Sequence, residues 1–258
     1  MKQKTVIVTR PQAQAAPLAD KLRQAGWETV IFPLLDIRPV SDTAPAERCA
    51  RHLHEYAVVV FVSPNAVAAF LPLVGEWPSG VAIAVVGSGS RRALLQAGID
   101  ESRVRIIFPD DPRHMDSEAL LARLDLAGLR GRKVLFVRAT AGREFLSEAL
   151  QAAGVQVDML AVYERTAPLF DAARRVALRN CLAQPAHWLI SSSEALRILY
   201  AWCQEADAEY QALQLLRQQH IVVSHQRIWE TAKNLGLESV TLTPSGDEAM
   251  LVALQSRI

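Results

Sequence analysis

Short runs of apolar, often β-branched residues alternate along the chain with longer stretches in which apolar residues recur every three or four positions. The runs VIVT at 6–9, TVIF at 29–32, VVVFV at 58–62, AIAVV at 82–86 and VRII at 104–107 predict strands. So do VLFV at 134–137, VDMLAVY at 157–163, HWLI at 187–190, IVVS at 221–224 and VTLT at 240–243. Between them the helical spacing places Leu18, Leu22 and Ala25 on one face, and Phe145, Leu146, Ala149 and Leu150 on another. The strand runs carry few charges, the mark of strands covered on both faces and hence of parallel sheets flanked by helices. Ten strands exceed one comfortable open sheet, so the pattern predicts an α/β chain of two five-stranded domains.

The pattern also repeats. Residues 4–36, moved by 128 positions, fall on 132–164 without a gap. Val6 meets Val134, Arg10 meets Arg138, Leu18 meets Leu146, Leu22 meets Leu150, Ala25 meets Ala153 and Gly26 meets Gly154. Both glycines follow an apolar stripe that stops just before them, the helix C-terminal position where a left-handed conformation suits Gly. FVSPNAV at 61–67 corresponds to ISSSEAL at 190–196, and more weakly AVVGSGSRRALLQAGI at 84–99 to VVSHQRIWETAKNLGL at 222–237. The chain therefore reads X1, Y1, X2, Y2. X1 ends in FPLLDIRPV and X2 in LAVYERTAP, both longer than a usual strand, which suggests a two-stranded connector. Tandem assembly joins X1 to Y1. An exchanged assembly joins X1 to Y2 and inserts Y1–X2 as a second domain. The pattern does not choose between them.

Composition narrows the class. Half of the 258 residues are hydrophobic, enough to bury real cores and exclude a disordered chain. The 28 Lys and Arg against 27 Asp and Glu leave a net charge of +1, so no whole-surface attraction to nucleic acid or membrane is expected. Cys49, Cys181 and Cys203 lie far apart, as neither a disulfide framework nor a zinc site, and read as small apolar residues on helices. The basic start MKQKTVIVTRP lacks a signal-peptide core, and runs such as AVVVFV at 57–62 fall far short of the ~20 residues that cross a bilayer. The expected setting is the cytoplasm.

Ligands of parallel α/β sheets bind beyond the carboxyl ends of the strands. Those turns read Thr9-Arg10-Pro11, Ser63-Pro64-Asn65, Gly87-Ser88-Gly89-Ser90, Arg138-Ala139-Thr140, Ser191-Ser192-Ser193 and Ser224-His225-Gln226-Arg227. Each Ser or Asn alone is simply a helix N-cap. Six such turns, with free helix N-terminal N–H groups and several Arg, instead describe an anion-binding cleft. Gly87–Arg92 begins like a dinucleotide fingerprint, with Asp110 about 21 positions after Gly89, but Arg92 replaces the third glycine. No phosphate-binding loop with its Lys occurs. His52 and His54 read as solvated residues on different helix faces, and His114 belongs to a turn with Asp110 and Asp111 before Pro112. His225 directly follows Ser224, the wrong arrangement for a nucleophile and its base. Tyr163 lies near the end of the connector strand AVYERT, where its phenol is either an interfacial packing group or a donor to a leaving group.

At these residues the sequence resembles the uroporphyrinogen-III synthase family from end to end. TRP at 9–11, FVSPNAV at 61–67, VVGSGS at 85–90, VYERT at 162–166, ISSSEAL at 190–196 and VSHQRIWETAKNLG at 223–236 fall in family order. The resemblance implies two flavodoxin-like parallel-sheet domains joined by a two-stranded β-ladder, the second domain inserted in the first. The expected bounds are 1–38 with 168–258, and 41–165, with connector strands at 36–41 and 163–168. The implied substrate is hydroxymethylbilane, a linear tetrapyrrole carrying carboxylates, dehydrated and closed with inversion of the last pyrrole and without cofactor or metal.

Tyr163 occupies the family's assisting tyrosine position. Arg10, Ser63, Asn65, Ser88, Ser90, Arg138, Ser191, Ser192, Ser193, Ser224 and Arg227 are the implied substrate contacts. Ser90 stands where Thr is more usual, and SHQR at 224–227 departs from the family's small Ser/Gly/Thr-rich turn. The resemblance further implies a monomer, with transient contact to the preceding pathway enzyme left open. The reading from another class is a hinged two-domain binding protein or sensor that closes on an anionic small molecule; fold alone does not separate the two.

Overall fold

A computed structural model of the chain describes residues 5–111, 115–244 and 246–256. Its elements begin β1 (Thr5–Val8), α1 (Gln12–Gln24), β2 (Glu28–Ile31), β3 (Asp36–Pro39), α2 (Ala44–Arg51), β4 (Tyr56–Phe61), α3 (Pro64–Phe70), β5 (Ala82–Val85) and α4 (Ser88–Gln96). They continue β6 (Ile106–Ile107), α5 (Ser117–Leu121), α6 (Leu126–Leu129), β7 (Lys133–Ala139), α7 (Phe145–Ala152), β8 (Gln156–Thr166), α8 (Ala172–Leu182) and β9 (Ala186–Ile190). The last are α9 (Ser193–Tyr210), α10 (Ala212–Arg217), β10 (His220–Val223), α11 (Gln226–Asn234), β11 (Val240–Leu242) and α12 (Asp247–Gln255). The fold is α/β with parallel sheets. Among the described residues no helix is long and apolar enough to cross a membrane.

The described residues form two compact units. An outer unit runs up to Asp36 and resumes at Thr166, and an inner unit spans Ile37–Arg165. The outer sheet has the order β11-β10-β9-β1-β2 and the inner sheet β3-β8-β7-β4-β5-β6. Strand β1 pairs in parallel with β9, Val6 beside His187, and β4 pairs with β7, Val58 beside Val134. The 128-residue shift carries β1 onto β7 and β2 onto β8. The weaker correspondences carry β4 onto β9 and β5 onto β10. On that matching, β2-β1-β9-β10-β11 and β8-β7-β4-β5-β6 are one spatial arrangement reached in two chain orders.

Alternation along each strand fills two core layers per unit. In the outer unit Ile7, Trp188, Ile190, Ile221 and Val223 pack against α8 to α11. The neighbouring positions Val6, Val8, Leu189 and Val222 pack against α1 and α12. In the inner unit Val59, Phe61, Ile83, Val85, Leu135 and Val137 join Phe70 of α3 and Leu94 of α4. Val58, Val60, Ala84, Val134 and Phe136 meet Leu120, Leu146 and Leu150 on the other face.

Helices α1 and α7 end alike. Gly26 (φ +88°) and Gly154 (φ +83°) are left-handed, and the next N–H reaches back to the last turn: Trp27 to the Leu22 carbonyl and Val155 to the Leu150 carbonyl, both at 3.0 Å.

Three expectations change. The inner sheet has six strands rather than five, because β3 joins it beside β8. FPLLDIRPV is not one long strand: β2 stops at Ile31, and β3 starts at Asp36. Pro33 between them has no N–H for a ladder, whereas its counterpart Ala161 lets β8 run unbroken through 11 residues. His52 and His54 are exposed, but not on two faces of an α-helix. His52 is the C-cap of α2 and His54 lies in the 3₁₀ turn that follows, with rings 6.3 Å apart. Pro112 and His114 lie outside the described residues.

Candidate functional site

Because β2, β1, β9, β10 and β11 pair in parallel, and so do β8, β7, β4, β5 and β6, each set delivers its following turns to one edge. In the inner unit that edge holds the ends of β4, β5, β7 and β8. Ser63 ends β4 in an extended conformation and caps α3, its Oγ accepting the Ala66 N–H at 3.1 Å. The same Oγ lies 2.9 Å from the phenol oxygen of Tyr163 on β8.

Tyr163 arrives there through an irregularity in the ladder. Arg138 faces Ala161 but Ala139 faces Tyr163, so Val162 is an extra residue on β8. A bulge of this kind cancels the alternation of faces and re-aims the next side chain. Leu160, Val162 and Tyr163 consequently all enter the same core cluster, with Tyr163 only 5% exposed. The Tyr163 carbonyl accepts the Thr140 N–H at 3.0 Å, which fixes the backbone beyond the bulge.

Arg138, the neighbouring cation, is buried; its Nε donates to the Ala139 carbonyl at 3.2 Å and its Nη1 lies 3.6 Å from Glu144. Gly87 caps α4 with Ser88 exposed at its first position and Ser90 buried one residue beyond Gly89. A Cβ at Gly89 would stand 3.2 Å from the Pro64 ring, so this glycine serves close packing of α4 against α3. Asn65 is half-buried in the first turn of α3.

The outer unit builds a matching edge. Thr9 is buried and donates to the Leu189 carbonyl at 2.7 Å, tying the end of β1 to β9. Arg10 does not stand free: its Nη1 meets the Asp247 carboxylate at 2.7 Å, and both side chains are largely buried. Ser192 caps α9 through the Glu194 and Ala195 N–H groups, with Ser191 half-buried before it. Ser193 is buried, its Oγ 3.2 Å from Thr231 Oγ1. Ser224 is buried at the end of β10, while His225 and Arg227 are exposed at the start of α11. Every implied contact thus lies at a carboxyl edge. Ser63 and Tyr163 are joined directly; Ser90, Ser193 and Ser224 are turned inward.

The sequence reading missed Asp247, Thr231 and the bulge at Val162. Asp247 had a local signal, since SGDEAM places acids at the start of a helix, where they suit the free N–H groups. Among the described residues no group of three or more His, Cys, Asp or Glu is arranged to hold a metal ion.

Residues 16–252 match the family model described as Uroporphyrinogen-III synthase HemD. The chain belongs to the uroporphyrinogen-III synthase family. The Salmonella typhimurium uroporphyrinogen-III synthase is 31% identical over 97% of this chain and 100% of its own length. The synthase of Chlorobaculum parvum is 32% identical over 67% of this chain and 68% of its own length. The solved structure of a mutant uroporphyrinogen III synthase from Thermus thermophilus covers 98% of both chains with a TM-score of 0.60 at 15% identity, a likeness of fold. In this chain the Tyr163 phenol lies against the cap of α3. Ser63 Oγ accepts the Ala66 N–H, and either hydroxyl of the Ser63–Tyr163 pair can donate to the other; with Ser63 as the donor the phenol proton is left for another acceptor.

Proposed function

We propose that this chain converts hydroxymethylbilane to uroporphyrinogen III, with Tyr163 assisting departure of the hydroxyl. The Ser63–Tyr163 pair, 2.9 Å apart at a carboxyl edge, carries the reading. The electron pair of the terminal pyrrole nitrogen expels the hydroxyl, which takes the phenol proton and leaves as water. The cationic azafulvene is attacked by the last pyrrole ring at its already substituted carbon, giving a spiro intermediate. Reopening and reclosure invert that ring, and the proton shed on rearomatisation restores the phenol. The pyrroles supply the electronic push, so the reaction calls for no cofactor, and the protein folds the chain for closure and aids loss of water.

Helix N-termini capped by Ser63 and Ser192, the first turn of α4 at Ser88, and Arg10, Arg138 and Arg227 take the substrate carboxylates. Asn65, Ser191 and His225 lie beside them. Ser90, Ser193 and Ser224 support those turns from inside. Arg10 is engaged by Asp247, so a carboxylate there shares or displaces that partner. The two units are proposed as flavodoxin-like domains, with β3 and β8 as the connecting strands and the reaction in the cytoplasm.

The test is direct. Purified protein given hydroxymethylbilane should form the type III ring, separated from type I by chromatography after oxidation. A folded sample yielding the spontaneous type I product alone overturns the proposal.

A further inference from the structure

The opposite, amino edge of the inner unit carries a cavity of about 470 Å³. Its floor is apolar and buried, with Val58, Ala82 and Leu129 among its residues. Its exposed rim carries Arg103, Arg105 and Arg132. Trp77 forms part of the wall, fixed by an indole N–H donated to the Val81 carbonyl at 2.9 Å. Ala57 and Ser63 are six residues apart along β4, so about 20 Å of strand separates this cavity from the Ser63–Tyr163 edge.

Comparison between the two units explains why the space exists. The correspondence that lays 61–67 on 190–196 puts Val58 on His187; the one that lays 84–99 on 222–237 puts Ala82 on His220. Both are register pairs: Val58 faces Ala82 across β4 and β5, and His187 faces His220 across β9 and β10. In the outer unit the two imidazoles fill the position, their Nδ1 atoms 2.8 Å apart and Trp27 edge-on to His187. In the inner unit two small aliphatic residues leave it open.

Of the rim charges, Arg103 has Asp100 close enough to act on it electrostatically and donates to the Gly98 carbonyl at 3.5 Å, while Arg105 and Arg132 have no carboxylate partner among the described residues. Among the described residues no ion pair holds Arg103, Arg105 or Arg132, whereas Arg91, Arg123, Lys133, Arg138 and Arg143 of this unit each meet a carboxylate. The one acid in the lining, Asp125, accepts the Gly128 N–H at 3.0 Å as the cap of α6. A pocket of this size with an apolar floor and cations among its lining residues is the form of a small-molecule site. Guanidinium groups select a carboxylate or sulfonate, and the floor selects a flat apolar body.

We propose that the amino edge of the inner unit binds a small organic anion with an apolar ring system, at a site separate from the carboxyl edge. This goes beyond the ring-closing reaction and does not depend on it. The probe is 8-anilinonaphthalene-1-sulfonate, titrated by fluorescence, with the uncharged N-phenyl-1-naphthylamine as its partner.

One saturable site for the sulfonate is expected, with the uncharged analogue at least tenfold weaker. Arg105→Glu with Arg132→Glu should weaken the sulfonate at least tenfold, and Lys at both positions should restore most of the affinity. Val58→His with Ala82→His installs the outer unit's own pair and should remove binding. If that variant does not fold, Ser79→Trp, at the exposed mouth, should block entry with an unchanged circular dichroism spectrum. Equal binding by the charge-reversed protein, or equal binding of the uncharged analogue, overturns the proposal. So does a loss of binding in Arg10→Ala or Arg138→Ala, which would place the probe at the carboxyl edge.

Discussion

Replacing Tyr163 by Phe removes one oxygen and keeps the ring, so the packing of the inner core is retained. What is lost is a single buried hydrogen bond to Ser63 at 2.9 Å. Ser63 keeps its Ala66 N–H, so no polar atom on that side is stranded. The expected cost is ~1 kcal/mol. Ser63→Ala loses that same bond and also the cap of α3, worth ~1 kcal/mol more, for a total of ~2 kcal/mol. Activity should rank the other way. If the Tyr163 phenol delivers the proton to the departing hydroxyl, Tyr163→Phe should lower turnover by ~10²–10⁴-fold. Ser63→Ala only loosens a phenol that is still present, and should cost on the order of tenfold. Urea denaturation ranks the two for stability, and the initial rate of type III formation from hydroxymethylbilane ranks them for catalysis. Opposite rankings support a chemical role for Tyr163. If turnover falls in the same order as stability, or if Tyr163→Phe turns over normally, Tyr163 is a packing residue and the mechanism above fails.

Further outcomes follow from other parts of the fold. Gly26→Ala should cost ~1–2 kcal/mol from its left-handed backbone alone, with no atom within 4 Å of the new Cβ. Gly154→Ala should cost more in the same denaturation assay, because its Cβ would come 3.3 Å from Arg130 Cγ; equal costs would contradict the packing. Asp247→Asn should release Arg10 and lower KM for hydroxymethylbilane several-fold, more at low salt than at high; an unchanged KM would make the Arg10–Asp247 pair purely structural. Burial pushes the thiol of Cys203 up to about 12 and that of Cys181 up to about 11, so at pH 8 their thiolate fractions are roughly 10⁻⁴ and 10⁻³. Labelling of the native protein by a disulfide reagent should be slowest at Cys203 and rise about tenfold per pH unit below its pKa; mass spectrometry finding Cys203 first would refute that burial.

The strands were legible because strands covered on both faces must be apolar at nearly every position, a signal visible without long-range information. The glycine stops were legible for the same local reason: Gly26 and Gly154 each end a helix whose stripe is already visible. Pro33 was equally local, yet its effect on FPLLDIRPV was overridden by the length of the apolar run. The carboxyl-edge turns could be named, since a parallel sheet sends them all to one side. Their internal chemistry could not. Arg10 meets Asp247 across 237 residues and Ser63 meets Tyr163 across 100, and neither pairing leaves a trace in local pattern. The bulge at Val162 is subtler, because VDMLAVY reads as one nearly continuous apolar strand, with no mark of where its faces change, until the ladder with β7 is known.

The duplication also separates binding from chemistry. Arg10 and Arg138 are equivalent positions, and so are Ser192 and Ser63, each a helix cap at the end of a central strand. An edge with an Arg and a Ser-capped helix therefore belongs to the repeated unit itself, both copies keep it, and under the proposed function it takes the substrate carboxylates. Tyr163 was not duplicated: its counterpart 128 positions earlier is Leu35, which is buried in the outer core. Leu35 follows the Pro33 break, whereas Tyr163 follows the Val162 bulge on an unbroken β8. One copy thus uses this position to fill a core and the other to hold a phenol beside a capped helix. The amino edge diverges in the reverse sense, with imidazoles filling the outer unit and a cavity open in the inner one. Groups shared by both copies suit recognition of a polycarboxylate, which needs many similar contacts. The group found in one copy suits the single proton transfer, which needs one.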